Sequence, residues 1–130
     1  IVFSDPAFGT LLGERACNMW RMLCTSQKGK FFEVTLQDVF CDDDTATAQW
    51  EAKYYFSKSG NAVHNKIKAK FTFKEDKIIT HHDNFSLHKW ASQAMGTKGK
   101  LLGWTPFFRS GLQKQTNMLL DKYEAQRQSD

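Results

Sequence analysis

Apolar and polar residues alternate with a period of two through the middle of the chain, which is the pattern of strands that bury one face. Every second residue is apolar across residues 46–56, and the alternation recurs across residues 63–73 with Asn65 as its exception. A turn at residues 59–61 separates these two runs, and a turn at Glu75-Asp76 leads into a third run over residues 77–85. The pattern predicts a long antiparallel meander of three strands.

Shorter elements precede the meander. An apolar strand over residues 1–3 stops at Asp5-Pro6, and a tight, glycine-punctuated connection runs up to Gly13. From Glu14 a period of 3.6 predicts a helix, and residues 32–37 return to a period of two. We therefore expect strand, helix and strand before the meander.

After the meander the pattern becomes helical. Ser86 is a suitable N-cap for a short helix that ends at Gly96, and a glycine-punctuated loop follows. Thr105 and Pro106 are a suitable N-cap and first residue of a closing amphipathic helix. Its predicted apolar stripe comprises Phe108, Leu112, Thr116, Leu119 and Tyr123. The whole order predicts an α+β fold in which helices cover one face of a curved antiparallel sheet.

Composition is that of one ordinary domain of 130 residues, with 18 Lys and Arg against 14 Asp and Glu. The basic residues are scattered, and Lys66, Lys68 and Lys70 alternate with apolar residues as on a solvated strand face. We expect no nucleic-acid partner and no membrane contact, since no apolar run approaches the roughly 20 residues of a membrane span. The start lacks the basic region of a secretory signal, and the protein is expected in the cytoplasm.

Neither the cysteines nor the run of acidic residues has the spacing of a metal site. Cys17, Cys24 and Cys41 form no C-x-x-C pair, and Cys17 and Cys24 are interpreted as small core residues in a reducing compartment. The acidic residues 42–44 are interpreted as a turn, because the glycine and glutamate of a calcium loop are missing from their positions. No cofactor is expected.

Asn65 falls on the apolar side of the meander, and so do His81 and Asp83 if Ile79 and Phe85 set the inward phase of the last strand. The competing phase, with Ile78, Thr80, His82 and Asn84 inward, carries less apolar weight. A buried polar group without a partner costs about 1 to 3 kcal/mol, so these residues must pair with one another or line a polar-tipped pocket. In the first case they form a structural network. In the second, a carboxyl in an aromatic cavity acquires a raised pKa and exchanges protons near neutral pH, with His81 orienting it. A metal site formed by His81, Asp83 and a third ligand is the weaker alternative.

Asp5 is the second candidate acid or base. It either initiates the turn before Pro6, as Asx-Pro pairs commonly do, or sits between Phe3 and Phe8 at the mouth of the same cavity. Aromatic residues on the inward phase would form the apolar core or a ligand-binding surface. These are Trp50, Tyr54, Phe71, Phe73 and Phe85.

The run Ser4-Asp5-Pro6-Ala7-Phe8-Gly9, the meander turns at Gly60-Asn61 and Asp76-Lys77-Ile78, and the closing His81-His82-Asp83 resemble the nuclear transport factor 2-like superfamily. Within it, the sequence is most similar to SnoaL-like and ketosteroid-isomerase-like bacterial proteins over residues 1–85. The resemblance implies a cystatin-like cone, an apolar pocket enclosed by sheet and helices, and a homodimer. It also implies one or two helices before the first strand, so residues 1–130 are expected to form a single SnoaL-like domain without those helices.

The resemblance also implies roles for individual residues. Asp5 corresponds to the general base of ketosteroid isomerases, whereas Ala69 occupies the position of their protonated aspartate, which argues against steroid isomerisation. Asp83, supported by His81, corresponds to the acid/base aspartate of SnoaL-like cyclases. We therefore expect binding of a hydrophobic small molecule with cofactor-independent acid/base chemistry of isomerase, cyclase or hydrolase type. The alternatives are a non-catalytic binding or dimerisation module of the same fold and, less favoured, a surface that docks a protein partner.

Overall fold

The computed structural model describes residues 1–129 of the chain and contains six strands and four helices in this range. The first part comprises β1 (Val2–Asp5), β2 (Gly9–Leu12), α1 (Glu14–Ser26) and β3 (Phe32–Cys41). The remainder comprises β4 (Thr45–Tyr55), β5 (Ala62–Lys74), β6 (Lys77–Asn84), α2 (Leu87–Met95), α3 (Thr97–Leu102) and α4 (Pro106–Ser129). The elements thus form an α+β arrangement, as the sequence predicts.

All six strands belong to one open sheet in the order β2-β1-β6-β5-β4-β3. The antiparallel meander of β4, β5 and β6 is confirmed, with Trp50 opposite Ile67 and Ala69 opposite Asp83. The sheet is mixed rather than wholly antiparallel, because β1 lies parallel to β6. Residues 9–12, predicted as a tight connection, instead form β2 and pair with β1.

The predicted caps are present at two helices. The Ser86 hydroxyl accepts a hydrogen bond from the Lys89 N–H at 3.2 Å and begins α2, which ends at Gly96 with φ of 65°. The Thr105 hydroxyl accepts from the Phe108 N–H at 3.1 Å and begins α4. The loop predicted after Gly96 contains the short helix α3, so local glycines did not prevent a helical turn there.

Two apolar clusters hold the helices against the sheet. One surrounds α1 and the β1–β2 hairpin and includes Phe3, Phe8, Leu11, Met19 and Leu120. The other joins β5 to α2 and includes Val63, Leu87, Trp90, Ala91 and Ala94. The first cluster corrects the predicted stripe of α4, since Leu120 is fully buried whereas Leu119 is 49% exposed. Adjacent residues point about 100° apart around a helix, so the face of α4 that buries Leu120 leaves Leu119 toward solvent.

The described helices leave one edge of the sheet uncovered. Every residue of β3 is exposed, including Phe32, Val34 and Leu36. Lys66, Lys68 and Lys70 are also exposed, as predicted for the solvated face of β5. Cys24 is exposed, so its interpretation as a core residue is wrong. Within residues 1–129, no helix is both long and apolar enough to cross a membrane.

Candidate functional site

Strand β6 places His81 and Asp83 together on the inner face of the sheet. Because side chains alternate along a strand, residues two apart share a face, and the intervening His82 is exposed. The Asp83 side chain is buried, and its Oδ1 lies 2.8 Å from His81 Nε2. Trp50 Nε1 donates to the same oxygen over a longer distance of 3.4 Å. The predicted inward phase of His81 and Asp83 is therefore confirmed, and side chains of β6 and β4, the two strands that flank β5, converge on one carboxyl group.

Aromatic rings surround the imidazole of His81. The ring of Phe71 lies 4.4 Å from it and that of Phe3 5.0 Å away, the latter edge-on. The indole of Trp20, on α1, stacks on it at 5.8 Å with an interplanar angle of 10°. Trp20 was not among the predicted site residues, although its place on the apolar stripe of α1 already pointed it toward the sheet. These rings hold His81 in one orientation toward Asp83.

Asp5 occupies the turn between β1 and β2. Its Oδ1 accepts hydrogen bonds from the backbone N–H groups of Ala7 at 2.9 Å and Phe8 at 2.6 Å. The carboxyl therefore caps the turn, which was one of the two alternatives for this residue. Since β1 runs parallel to β6, with Phe3 opposite His81, the end of β1 also approaches the end of β6 that carries Asp83.

Burial gives the Asp5 carboxyl an unusual proton affinity. Loss of hydration raises its pKa from 3.8 to about 6, opposed by the hydrogen bond from the Phe8 N–H. The negative charge of Asp83 raises the pKa further, whereas the Ala7 N–H and the charge of His81 lower it. Asp5 thus interacts electrostatically with both members of the β6 pair, and the three residues form one cluster.

Asn65 is buried on the same face but lies apart from this cluster. It is four residues along β5 from Ala69, the partner of Asp83, which corresponds to about 13 Å. Its amide has no hydrogen-bond partner among residues 1–129, so the predicted network of Asn65, His81 and Asp83 is incomplete. Among the described residues, every fully buried side-chain nitrogen or oxygen atom has a hydrogen-bond partner. The Asn65 amide must therefore open onto accessible space.

The remaining predicted ligand-binding residues lie around these two polar positions. Ala69 is buried on β5 opposite Asp83. Tyr54 Oη accepts a hydrogen bond of 2.8 Å from Trp90 Nε1, and burial raises the pKa of Tyr54. Phe85 packs against the α2 cluster and lines a surface cleft with Trp104 and Arg109.

The donor set does not suit a metal ion. Among the described residues, no group of three or more His, Cys, Asp or Glu side chains has the arrangement of a metal site. His81 and Asp83 therefore lack the third ligand that the weaker alternative required.

Solved structures share this architecture at low sequence identity. A ketosteroid-isomerase-like protein from Catenulispora acidiphila, solved with trimethylamine, is 18% identical with a TM-score of 0.60 and covers 81% of this chain and 78% of its own. A candidate SnoaL-like polyketide cyclase from Jannaschia sp. CCS1 is 13% identical with a TM-score of 0.60, over 75% of this chain and 71% of its own. A nuclear transport factor 2-like protein of unknown function from Cytophaga hutchinsonii is 13% identical with a TM-score of 0.55, over 65% of this chain and 73% of its own.

The chain has the nuclear transport factor 2-like fold. The resemblance expected from the Asp5-Pro6 turn and the meander is thereby confirmed at the level of fold. No family model matches the sequence, and no curated protein matches it. In this nuclear transport factor 2-like fold, the Asp5, His81 and Asp83 cluster lies on the inner face of the sheet. The fold positions the site, but its chemistry must be argued from the side chains.

Proposed function

We propose that the inner face binds a hydrophobic small molecule and exchanges protons with it without a cofactor. The observation that supports this most directly is the partly buried Asp5 carboxyl, with a pKa of about 6, beside the hydrogen-bonded pair of His81 and Asp83. A group with such a pKa is present in both protonation states near neutral pH, as a general acid and base must be. Aromatic side chains around it exclude water and favour an apolar ligand.

The two carboxyl groups have different roles in this proposal. Asp83 Oδ1 lies within hydrogen-bond distance of side chains from two strands, His81 of β6 and Trp50 of β4. It acts as a fixed negative group that keeps His81 oriented. Asp5 is the proton acceptor, because its protonation changes near neutral pH and the turn N–H groups occupy only its Oδ1.

The reaction that fits these groups is proton transfer next to a carbonyl. Asp5 removes a proton from the carbon beside the carbonyl, and the electron pair moves to oxygen to give an enolate. The Asn65 amide, about 13 Å away along the sheet, donates a hydrogen bond to a second oxygen at the far end of the ligand. Protonated Asp5 then returns the proton to carbon, so the step needs neither oxidant nor metal. The roughly 13 Å between the Asn65 and Asp83 positions suits a ligand of several fused rings.

We also propose that the protein is a homodimer, and that a non-catalytic binding or dimerisation module is the alternative function. This is favoured by the exposed apolar side chains of Phe32, Val34 and Leu36 on the edge strand β3. An uncovered apolar edge strand pairs readily with another chain. The dimer hypothesis and the proton-transfer hypothesis are compatible but are tested separately.

Hydrogen–deuterium exchange into ligands provides the test. A panel of fused-ring ketones is incubated with the protein in deuterated buffer at pH 7, and deuterium at the carbon beside the carbonyl is followed by NMR. We expect exchange with the wild type, at least about 100-fold slower exchange with Asp5→Asn, and unchanged exchange with Asp76→Asn, an exposed turn residue with positive φ that asparagine tolerates. Ligand binding by both the wild type and Asp5→Asn, without exchange in either of them, would favour the non-catalytic binding module instead.

A further inference from the structure

The turn that carries Asp5 is held from its other side by α4. Three consecutive backbone carbonyls of the turn each accept a hydrogen bond from an α4 side chain. These are Gln113 Nε2 to Pro6 O at 3.1 Å, Thr116 Oγ1 to Ala7 O at 2.8 Å and Asn117 Nδ2 to Phe8 O at 2.9 Å. The donors lie on one face of α4, as their spacing of three and four residues requires.

The same short turn is therefore bound on both sides. Its N–H groups at Ala7 and Phe8 donate to the Asp5 carboxyl, and its carbonyls accept from α4. A carboxyl bonded to two N–H groups of a turn can move only as far as the turn moves. The position of Asp5 thus depends on side chains more than 100 residues later in the chain.

The amide of Asn117 is fixed at both ends. Its Oδ1 accepts from Arg15 Nη2 at 3.0 Å, which directs its Nδ2 toward Phe8 O. Arg15 also pairs with Glu124 at 2.5 Å and with Asp121 at 2.8 Å, both on α4. Helix α1 and helix α4 are thereby joined beside the turn, and the donor that reaches Phe8 has one orientation.

Close packing at Gly9 shows how near α4 lies to the turn. Gly9 has a φ of +77°, and a Cβ at this residue would lie 3.2 Å from Oε1 of Gln113. Only glycine adopts such a φ without strain and leaves room for the helix side chain. The turn sequence Asp5 to Gly9 is thus fitted to the surface of α4.

We propose that α4 positions the Asp5 carboxyl for proton transfer, with Gln113, Thr116 and Asn117 as positioning residues. The inference rests on the proposed function, in which Asp5 is the proton acceptor. A displacement of about 1 Å is enough to slow a positioned proton transfer by orders of magnitude. The hydration of the Asp5 carboxyl therefore depends on α4. So does the influence of the facing His81 and Asp83 side chains on the Asp5 pKa.

Thr116 provides a matched pair of variants. Thr116→Val keeps the shape of the side chain and removes the donor to Ala7 O, whereas Thr116→Ser keeps the donor. We expect Thr116→Val to lower the Asp5 pKa, measured by carbon NMR of the carboxyl, by about one unit or more, because the released turn exposes the carboxyl to water. Thr116→Ser and Met118→Ala, a change at an exposed residue of α4, should leave the titration unchanged.

An unchanged Asp5 titration in Thr116→Val, together with a lower midpoint of thermal unfolding, would show that α4 only braces the fold and would overturn the proposal. If Thr116→Val does not fold, Gln113→Leu removes the neighbouring donor to Pro6 O and is measured in the same way. The titration needs no substrate. A wild type without exchange activity whose Asp5 pKa still responds to Thr116 would therefore contradict the proposed function and not the positioning by α4.

Discussion

His81 and Asp83, two residues apart on β6, share a hydrogen bond of 2.8 Å on the inner face of the sheet. An ionised carboxylate only accepts hydrogen bonds, so His81 Nε2 is the donor whenever the Asp83 carboxyl is ionised. The alternation of a strand brings the two side chains to the same face, and neighbouring aromatic rings set the ring plane. The pair is thus assembled by one strand and oriented by its neighbours.

Loss of the His81 imidazole should destabilise the fold. His81→Leu leaves the buried Asp83 carboxyl with only the long bond from Trp50, and an unsatisfied buried acceptor costs about 1 to 3 kcal/mol. We expect a decrease of that size in the free energy of unfolding, measured by urea denaturation at pH 7. His82→Gln, at the exposed neighbouring residue, should change it by less than about 0.5 kcal/mol. Equal effects of the two changes would contradict the buried pair.

Asp5→Asn should stabilise the protein at neutral pH. The folded pKa of about 6 exceeds the ordinary 3.8, so the folded state binds more protons than the unfolded state between these values. The contribution of Asp5 to the free energy of unfolding is therefore complete below pH 3.8 and decreases as the pH rises to 6. Above pH 6 the free energy of unfolding is lower by about 3 kcal/mol. Asparagine keeps an acceptor for the turn N–H groups and has no charge to bury.

Urea denaturation of wild type and Asp5→Asn at pH 7.5 and pH 4.5 tests this. We expect the variant to be more stable by about 1 to 3 kcal/mol at pH 7.5, with a smaller difference at pH 4.5. A difference that stays constant with pH, or a variant less stable at pH 7.5, would rule out a buried carboxyl with a raised pKa. Asp76→Asn, at an exposed turn, is the matched control.

Asn65→Leu should separate ligand binding from stability. The Asn65 amide has no partner within residues 1–129 although the residue is only 8% exposed, so an apolar side chain of similar volume costs the fold little. We expect the free energy of unfolding to stay within about 1 kcal/mol of wild type or to rise. Exchange into ketones that carry a second oxygen should fall at least about tenfold, because the far end of the ligand loses the donor that positions it. A loss of several kcal/mol would instead show that the amide is a structural partner.

Val34→Lys should weaken self-association. Val34 is 50% exposed in the middle of the apolar residues of the β3 edge, and a lysine there places a charge in the proposed contact. We expect sedimentation velocity to show a dimer for wild type and a monomer for the variant. Thr35→Lys, at the neighbouring residue on the opposite face of β3, is the control. A wild-type monomer at all concentrations would contradict the homodimer.

The hydrogen bond between Trp90 and Tyr54 links α2 to the sheet. Tyr54→Phe removes the acceptor of the 2.8 Å bond and leaves the buried Trp90 N–H unpaired, which should cost about 1 to 3 kcal/mol of unfolding free energy. Urea denaturation followed by tryptophan fluorescence measures this. Tyr55→Phe, at the exposed next residue, should have no measurable effect.

The sequence by itself determined the local features of this protein. Alternation with a period of two placed His81 and Asp83 on one face and His82 on the other, because side-chain direction alternates along a strand. Ser86 and Thr105 marked the starts of α2 and α4, since each cap bonds to an N–H only three residues away. The Asp5-Pro6 turn was likewise predictable from neighbouring residues.

Only the tertiary structure decided which of these features meet. The parallel pairing of β1 with β6 brings Asp5 toward Asp83, and no local pattern encodes a contact between strands more than 70 residues apart. The rotation of α4 buries Leu120 instead of Leu119 and aims Thr116 at the Asp5 turn. Such choices depend on packing between distant elements, whose energies arise only when the chain has folded and the two surfaces are in contact.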